Sequence, residues 1–135
     1  MILAHGVDLV HTPRIARMWH EHGELFLARI YTPTERTYCM EHRDSVPRLA
    51  GRFAAKEAVL KMLGTGWRGG LHWTDIETLP DPLGKPLVTL HGGCAKLAAT
   101  LGITQVLLSI SHAGEYALAS AIGLGATPAA GGSAR

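Results

Sequence analysis

The largely apolar stretch Ile2 to Val10 has strand character, and the period-two facing of a strand places Ile2, Ala4, Gly6, Asp8 and Val10 on one side. Thr12-Pro13 then starts a helix, with Thr12 as cap and Pro13 at the first helical position, running to about His22 and stopping at Gly23. A second short helix is expected over Glu24 to Ile30. Thr32-Pro33-Thr34-Glu35 repeats the cap-then-proline signal, with Glu35 at the capping-box position. The strongest helical pattern covers Val46 to Leu63 and closes at Gly64-Thr65-Gly66.

Beyond the Gly69-Gly70 turn, Trp73 to Leu79 reads as a strand, Pro80 to Pro86 as a turn and Leu87 to Leu90 as a short strand. Cys94 to Leu101 follows as a helix ending at Gly102. Gln105 to His112 and Tyr116 to Ile122 are two apolar strands joined by Ala113-Gly114-Glu115, a hairpin signal. Helices and strands mix without regular βαβ alternation, which predicts a single α+β domain. Gly123 to Arg135 (GLGATPAAGGSAR) is small and aperiodic, so residues 1–122 are expected to fold and 123–135 to form a flexible tail.

Composition narrows the function classes. With 135 residues, 47% hydrophobic and 18% charged, the chain predicts one folded globular unit. No apolar run reaches the roughly 20 residues of a membrane span, and Met1 to Val10 lacks a signal peptide's basic start. Two distant cysteines, Cys39 and Cys94, suit a reducing cytoplasm. A net charge of +2 is too slight for a nucleic-acid footprint. Eight histidines raise the question of zinc, but no HExxH or Cys-His cluster accompanies them.

The long helix holds the first chemical candidates. Leu49, Phe53, Val59, Leu60 and Leu63 fill a broad apolar arc, and the small residues around them predict burial nearly all round. Glu57 and Lys61 share one narrow stripe, either as a plain i,i+4 ion pair or as a functional edge. Arg52 and Lys56 fall on the apolar arc, where they are expected to snorkel or to reach an anionic partner at a subunit boundary. Asp8 is unusual within a strand; it is either a turn residue or a hard oxygen ligand, which with Glu57 would suit Mg²⁺. Gly64-Thr65-Gly66 is open to two readings, a plain helix stop or a backbone cradle for phosphate. Ser109 to His112 has no nucleophile elbow and fits a polar strand end lining a ligand cleft better than a Ser-His hydrolase.

Five segments, GVDLV (Gly6 to Val10), RFAAKEAVLKMLGTG (Arg52 to Gly66), WTDIE (Trp73 to Glu77), GKP (Gly84 to Pro86) and SISH (Ser109 to His112), occur in an order that resembles holo-acyl-carrier-protein synthase, the small trimeric branch of the phosphopantetheinyl transferase superfamily. The resemblance implies a β-sheet packed on a long central helix and a homotrimer with active sites between subunits. It implies transfer of the 4'-phosphopantetheine arm of coenzyme A to a serine of an acyl carrier protein, in support of fatty acid biosynthesis. Asp8 and Glu57 match the Mg²⁺ carboxylates, and Lys61 the lysine beside the scissile phosphate. Arg52, Gly64, Thr65, Gly66, Ser111 and His112 match positions lining the coenzyme cleft. Arg14 matches a basic position that docks an acidic carrier helix, with Arg17 as its neighbour. His11 stands where the family usually has a glutamate. Two rival readings remain: another metal-dependent phosphotransferase or phosphohydrolase using the same carboxylates, and a non-catalytic oligomeric module that binds nucleotide or acidic protein.

Overall fold

From Leu49 to Leu63 every residue is buried except Glu57 and Lys61. This stretch belongs to a helix at Ser45–Leu63, which the rest of the chain surrounds in a computed structural model that describes residues 1–41 and 43–126. The elements in order are β1 (Ile2–His11), α1 (Thr12–His22), α2 (Glu24–Ile30), α3 (Pro33–Met40), α4 (Ser45–Leu63), a 3-10 turn (Trp73–Asp75), β2 (Ile76–Pro80), β3 (Pro86–Leu90), α5 (Gly92–Thr100), β4 (Ile103–Ala113) and β5 (Tyr116–Gly125). The order is the expected α+β mixture.

An antiparallel sheet in the order β1-β5-β4 packs one face on α4, while β2 and β3 pair separately. The inward residues of β5 are Ala117, Ala119, Ala121 and Gly123, all buried. Such small residues let the helix lie close to the sheet. The approach is tightest at Gly6 of β1, where an added Cβ would sit 2.2 Å from the Ala58 carbonyl oxygen and 2.6 Å from the Met62 nitrogen. Glycine in a strand marks such a close crossing. The predicted alternation along β1 holds: Gly6 and Val10 are buried, Ala4 and Asp8 half-buried, and Val7 and Leu9 exposed on the other side.

Local signals fixed several boundaries. Thr32 caps α3 in a complete capping box, its hydroxyl accepting from the Glu35 N–H at 3.1 Å and its own N–H donating to Glu35 Oε1 at 2.9 Å. Gly23 stops α1, and Gly64 ends α4 in the left-handed region with φ 84°. The β4–β5 turn places Gly114 at φ 56°, the positive value that a two-residue hairpin needs at its first position.

Four expectations need correction. Thr12 is the first residue of α1 and not its cap; His11 occupies the cap position without a side-chain bond. Trp73–Asp75 is a 3-10 turn, because the Asp75 carboxylate accepts the His72 N–H at 3.1 Å and folds the chain before β2 begins. The tail does not start at Gly123: β5 continues to Gly125, whose N–H donates to the Met1 carbonyl at 3.0 Å. Backbone pairing with both neighbouring strands outweighs the glycine-rich composition there; residues 127–135 of the expected tail lie outside the described residues.

Lys56 is the fourth. It neither snorkels nor reaches a boundary but is fully buried, donating to Glu35 Oε1 at 2.7 Å and to the carbonyls of Trp73 and Ile76. Burial pushes its pKa down, and Glu35 opposes that shift. The other Glu35 oxygen accepts the Thr78 N–H at 2.9 Å, so one carboxylate ties α3, α4 and β2 together.

Candidate active site

The crossing at Gly6 sets the site. Two residues along β1, Asp8 reaches the exposed stripe of α4, and its Oδ1 accepts from Lys61 Nζ at 2.9 Å. The Asp8 side chain is 16% exposed and that of Lys61 55%. The bond from Asp8, reinforced by its charge, pushes the Lys61 pKa up, so the ammonium stays charged. Of the two readings left open for Glu57 and Lys61, the plain i,i+4 ion pair is not the one found: Lys61 pairs with Asp8 from β1.

Glu57 lies half-buried beside them. Burial is the first cause that pushes its carboxyl up, and repulsion from Asp8 adds to it; Trp67, Lys61 and Arg14 oppose the rise. Glu57 stands one turn before Lys61 on α4, so it shares the stripe on which Lys61 bonds Asp8. A pair of carboxylates with room for water and phosphate is the donor set Mg²⁺ favours. Among the described residues no cluster of three or more His, Cys, Asp or Glu forms, so a cation here would rely on this pair and on oxygens from outside the chain.

The remaining expected residues scatter around this centre. Gly64 and Gly66 have φ of 84° and 67°, a conformation that returns the chain toward α4, and the Thr65 carbonyl accepts from Arg68 Nε at 2.9 Å. His112 is on the α4 side of the sheet, where its Nε2 donates to the Pro47 carbonyl at 3.0 Å and its ring covers Gly51. A carbonyl only accepts, so Nε2 carries the hydrogen. Ser111 pairs in register with Leu118 and is exposed on the opposite side of the sheet, away from Asp8 within the protomer. Arg52 is 6% exposed, with its guanidinium 4.5 Å from the Tyr38 ring centre. Arg48 stacks on the same ring at 4.9 Å.

Arg14 and Arg17 are exposed on α1, three residues apart and so neighbours on the helix surface. The Arg14 guanidinium lies 5.4 Å from the Phe53 ring centre, at the edge of a groove of about 490 Å³. Met18, Phe26, Phe53 and Trp73 form its apolar lining, and Arg29 joins Arg14 as a basic group. The sequence reading missed this groove, because its walls come from α1, α2, α4 and the 3-10 turn. It also missed Trp67, whose only signal was its place directly after the GTG turn.

A family model described as the 4'-phosphopantetheinyl transferase superfamily matches residues 4–121. The chain belongs to that superfamily. It is 48% identical over 122 residues to the holo-[acyl-carrier-protein] synthase of Koribacter versatilis, covering 90% of this chain and 98% of the relative. Among solved structures, the synthase of Neisseria meningitidis superposes with a TM-score of 0.84 at 37% identity, over 92% of this chain and 99% of that one. The Helicobacter pylori synthase in complex with coenzyme A gives a TM-score of 0.79 at 31% identity, over 89% of this chain and 99% of the other. The superfamily's small α+β fold is thus the fold of this protein.

Proposed function

We propose that the protein is a holo-[acyl-carrier-protein] synthase, transferring the 4'-phosphopantetheine arm of coenzyme A to a serine of apo-acyl carrier protein. The products are holo-carrier and adenosine 3',5'-bisphosphate. The observation that supports this reading is the Asp8–Lys61 bond on the stripe of α4 that also carries the half-buried Glu57. A relative bearing that name shares 48% of the aligned residues.

In this reading the serine oxygen attacks the β-phosphorus and the bond to the bridging oxygen breaks. Asp8 and Glu57 would hold Mg²⁺, which when bound neutralises the diphosphate. Glu57, or a water it holds, takes the serine proton; a carboxylate raised by burial is a stronger base than an exposed one. Lys61 stays cationic and offsets charge on the departing phosphate. Arg52, the Gly64-Thr65-Gly66 turn, Ser111 and His112 are assigned to the coenzyme cleft.

Arg14 and Arg17, with the neighbouring apolar groove, receive the carrier's acidic helix. A homotrimer is supported by the exposed outer face of the sheet, where Val7 and Leu9 are 48% and 60% exposed beside Leu107 and Leu118. Such an assembly would bring the outward Ser111 to a neighbour's cleft. Among the described residues no helix is long and apolar enough to cross a membrane, and the two buried free thiols suit the cytoplasm.

Incubation with coenzyme A, Mg²⁺ and apo-carrier should add about 340 Da to the carrier, and chelation should abolish the gain. Asp8→Asn and Glu57→Gln should each lower turnover by about 100-fold or more while remaining folded. Hydrolysis of coenzyme A without a mass gain would instead assign the site to a hydrolase.

A further inference from the structure

Asp8 is largely shielded from water, its side chain 16% exposed, and a carboxylate so placed needs a counter-cation. Lys61 supplies one, with Nζ 2.9 Å from Asp8 Oδ1. Among the described residues Lys61 makes this ion pair and none with Glu57, the carboxylate one turn before it on α4. The two partners differ in freedom. Asp8 belongs to β1, which is paired along its length with β5 and pressed on the α4 backbone at Gly6, so its carboxylate is placed by the strand. Lys61 reaches it on a flexible aliphatic stem with 55% of its side chain in solvent. An ion pair with one partner in water is weak, and a doubly charged ion competes for the same carboxylate at an advantage.

We propose that Lys61 is a placeholder cation for Asp8. It holds the carboxylate in the metal-free protein and gives it up to a divalent cation, which frees the ammonium for the coenzyme's diphosphate. The charge beside Asp8 is balanced in both states, and Lys61 turns to phosphate only once its place on Asp8 has been taken. This release onto phosphate rests on the reading of the site as a synthase centre; the competition between Lys61 and a divalent cation for Asp8 does not.

Two measurements on the protein without coenzyme or carrier test it. The first is titration with Mn²⁺, followed by the electron paramagnetic resonance of the free ion. Lys61→Met keeps an unbranched apolar stem and removes the charge. It should bind Mn²⁺ about three- to tenfold more tightly than wild type, because a competitor in the site lowers apparent affinity by the fraction it leaves free. Asp8→Asn should bind it at least about tenfold more weakly. The second follows the Lys61 ammonium signal in ¹⁵N-labelled protein at low temperature, assigned by its absence in Lys61→Met. In wild type it should stand apart from the signals of the exposed Lys85 and Lys96 and move toward them as Mg²⁺ saturates the site. In Asp8→Asn it should lie with them from the start, and Mg²⁺ should leave it there.

Equal Mn²⁺ affinity in wild type and Lys61→Met overturns the proposal, and so does Mn²⁺ binding to neither. A Lys61 signal that keeps its position at saturating Mg²⁺ also overturns it, since the ammonium would then stay on Asp8 beside the metal. Should exchange with water hide that signal, the Mn²⁺ affinities decide; should Lys61→Met fail to fold, the Mg²⁺ titration of wild type decides. Transfer to the carrier with no such competition keeps the synthase reading and removes this one. Competition without transfer does the reverse.

Discussion

Lys56 Nζ lies 2.7 Å from Glu35 Oε1, and neither side chain has any surface exposed to solvent. The pair is a buried cross-link between α3 and α4, with the Thr32 and Thr78 amides completing the carboxylate's bonds. Removing one member leaves the other charged or polar in the interior, which costs about 3 to 5 kcal/mol. Glu35→Ala and Lys56→Ala should each show that loss in urea unfolding. The double variant Glu35→Gln with Lys56→Met should lose less than the sum of its single variants, because no charge is left alone.

Gly6 tests how the site is built. Gly6→Ala puts a methyl group against the backbone of Ala58 and Met62, atoms that cannot rotate away. Overpacking of this kind costs about 3 kcal/mol and displaces β1 from α4. Thermal unfolding should report the lower stability. Turnover of the folded fraction should fall too, because Asp8 moves with the strand.

Arg14 separates docking from chemistry. Its guanidinium covers Phe53 at the edge of the apolar groove. Arg14→Ala should raise KM for the carrier about tenfold and leave KM for coenzyme A nearly unchanged. Wild-type KM for the carrier should rise steeply with salt, and that slope should be shallower in the variant, since screening then has one charge fewer to act on.

The cysteines give a pH signature. Burial is the first cause that pushes both Cys39 and Cys94 from 9.0 to about 11. A folded-state thiol pKa above the unfolded one means that the unfolded chain loses its protons first, so stability falls as pH rises between 9.0 and about 11. Denaturation midpoints across that range should decline. At pH 8 both thiols should resist alkylation in the native protein and react quickly once it is unfolded.

Local chemistry was legible in the sequence, and relationships across the fold were not. The Thr32–Glu35 capping box, the Gly23 and Gly64 stops and the alternation along β1 all follow from residues a few positions apart. The nearly complete burial of α4 was also readable, since small and apolar residues occupy most of its surface. Lys56 was misplaced because its partner Glu35 belongs to another helix, and helical periodicity alone cannot supply a counterion. For Glu57 and Lys61 the sequence left a plain ion pair and a functional edge open, because an i,i+4 neighbour is visible in sequence, whereas Asp8 reaches Lys61 through the crossing at Gly6. At the end of β5, glycine-rich composition suggested a tail because it carries no trace of the backbone bond between Met1 and Gly125.

The alternation of β1 puts Asp8 on the helix side of the sheet and Val7 and Leu9, its neighbours in sequence, on the open side. Whatever covers Val7 and Leu9 therefore braces, from behind, the same three residues of backbone that aim the carboxylate. If the cover is a second and third copy, dilution strips that brace before it unfolds the chain. Activity per molecule should then decline as the enzyme is diluted, and recover on reconcentration.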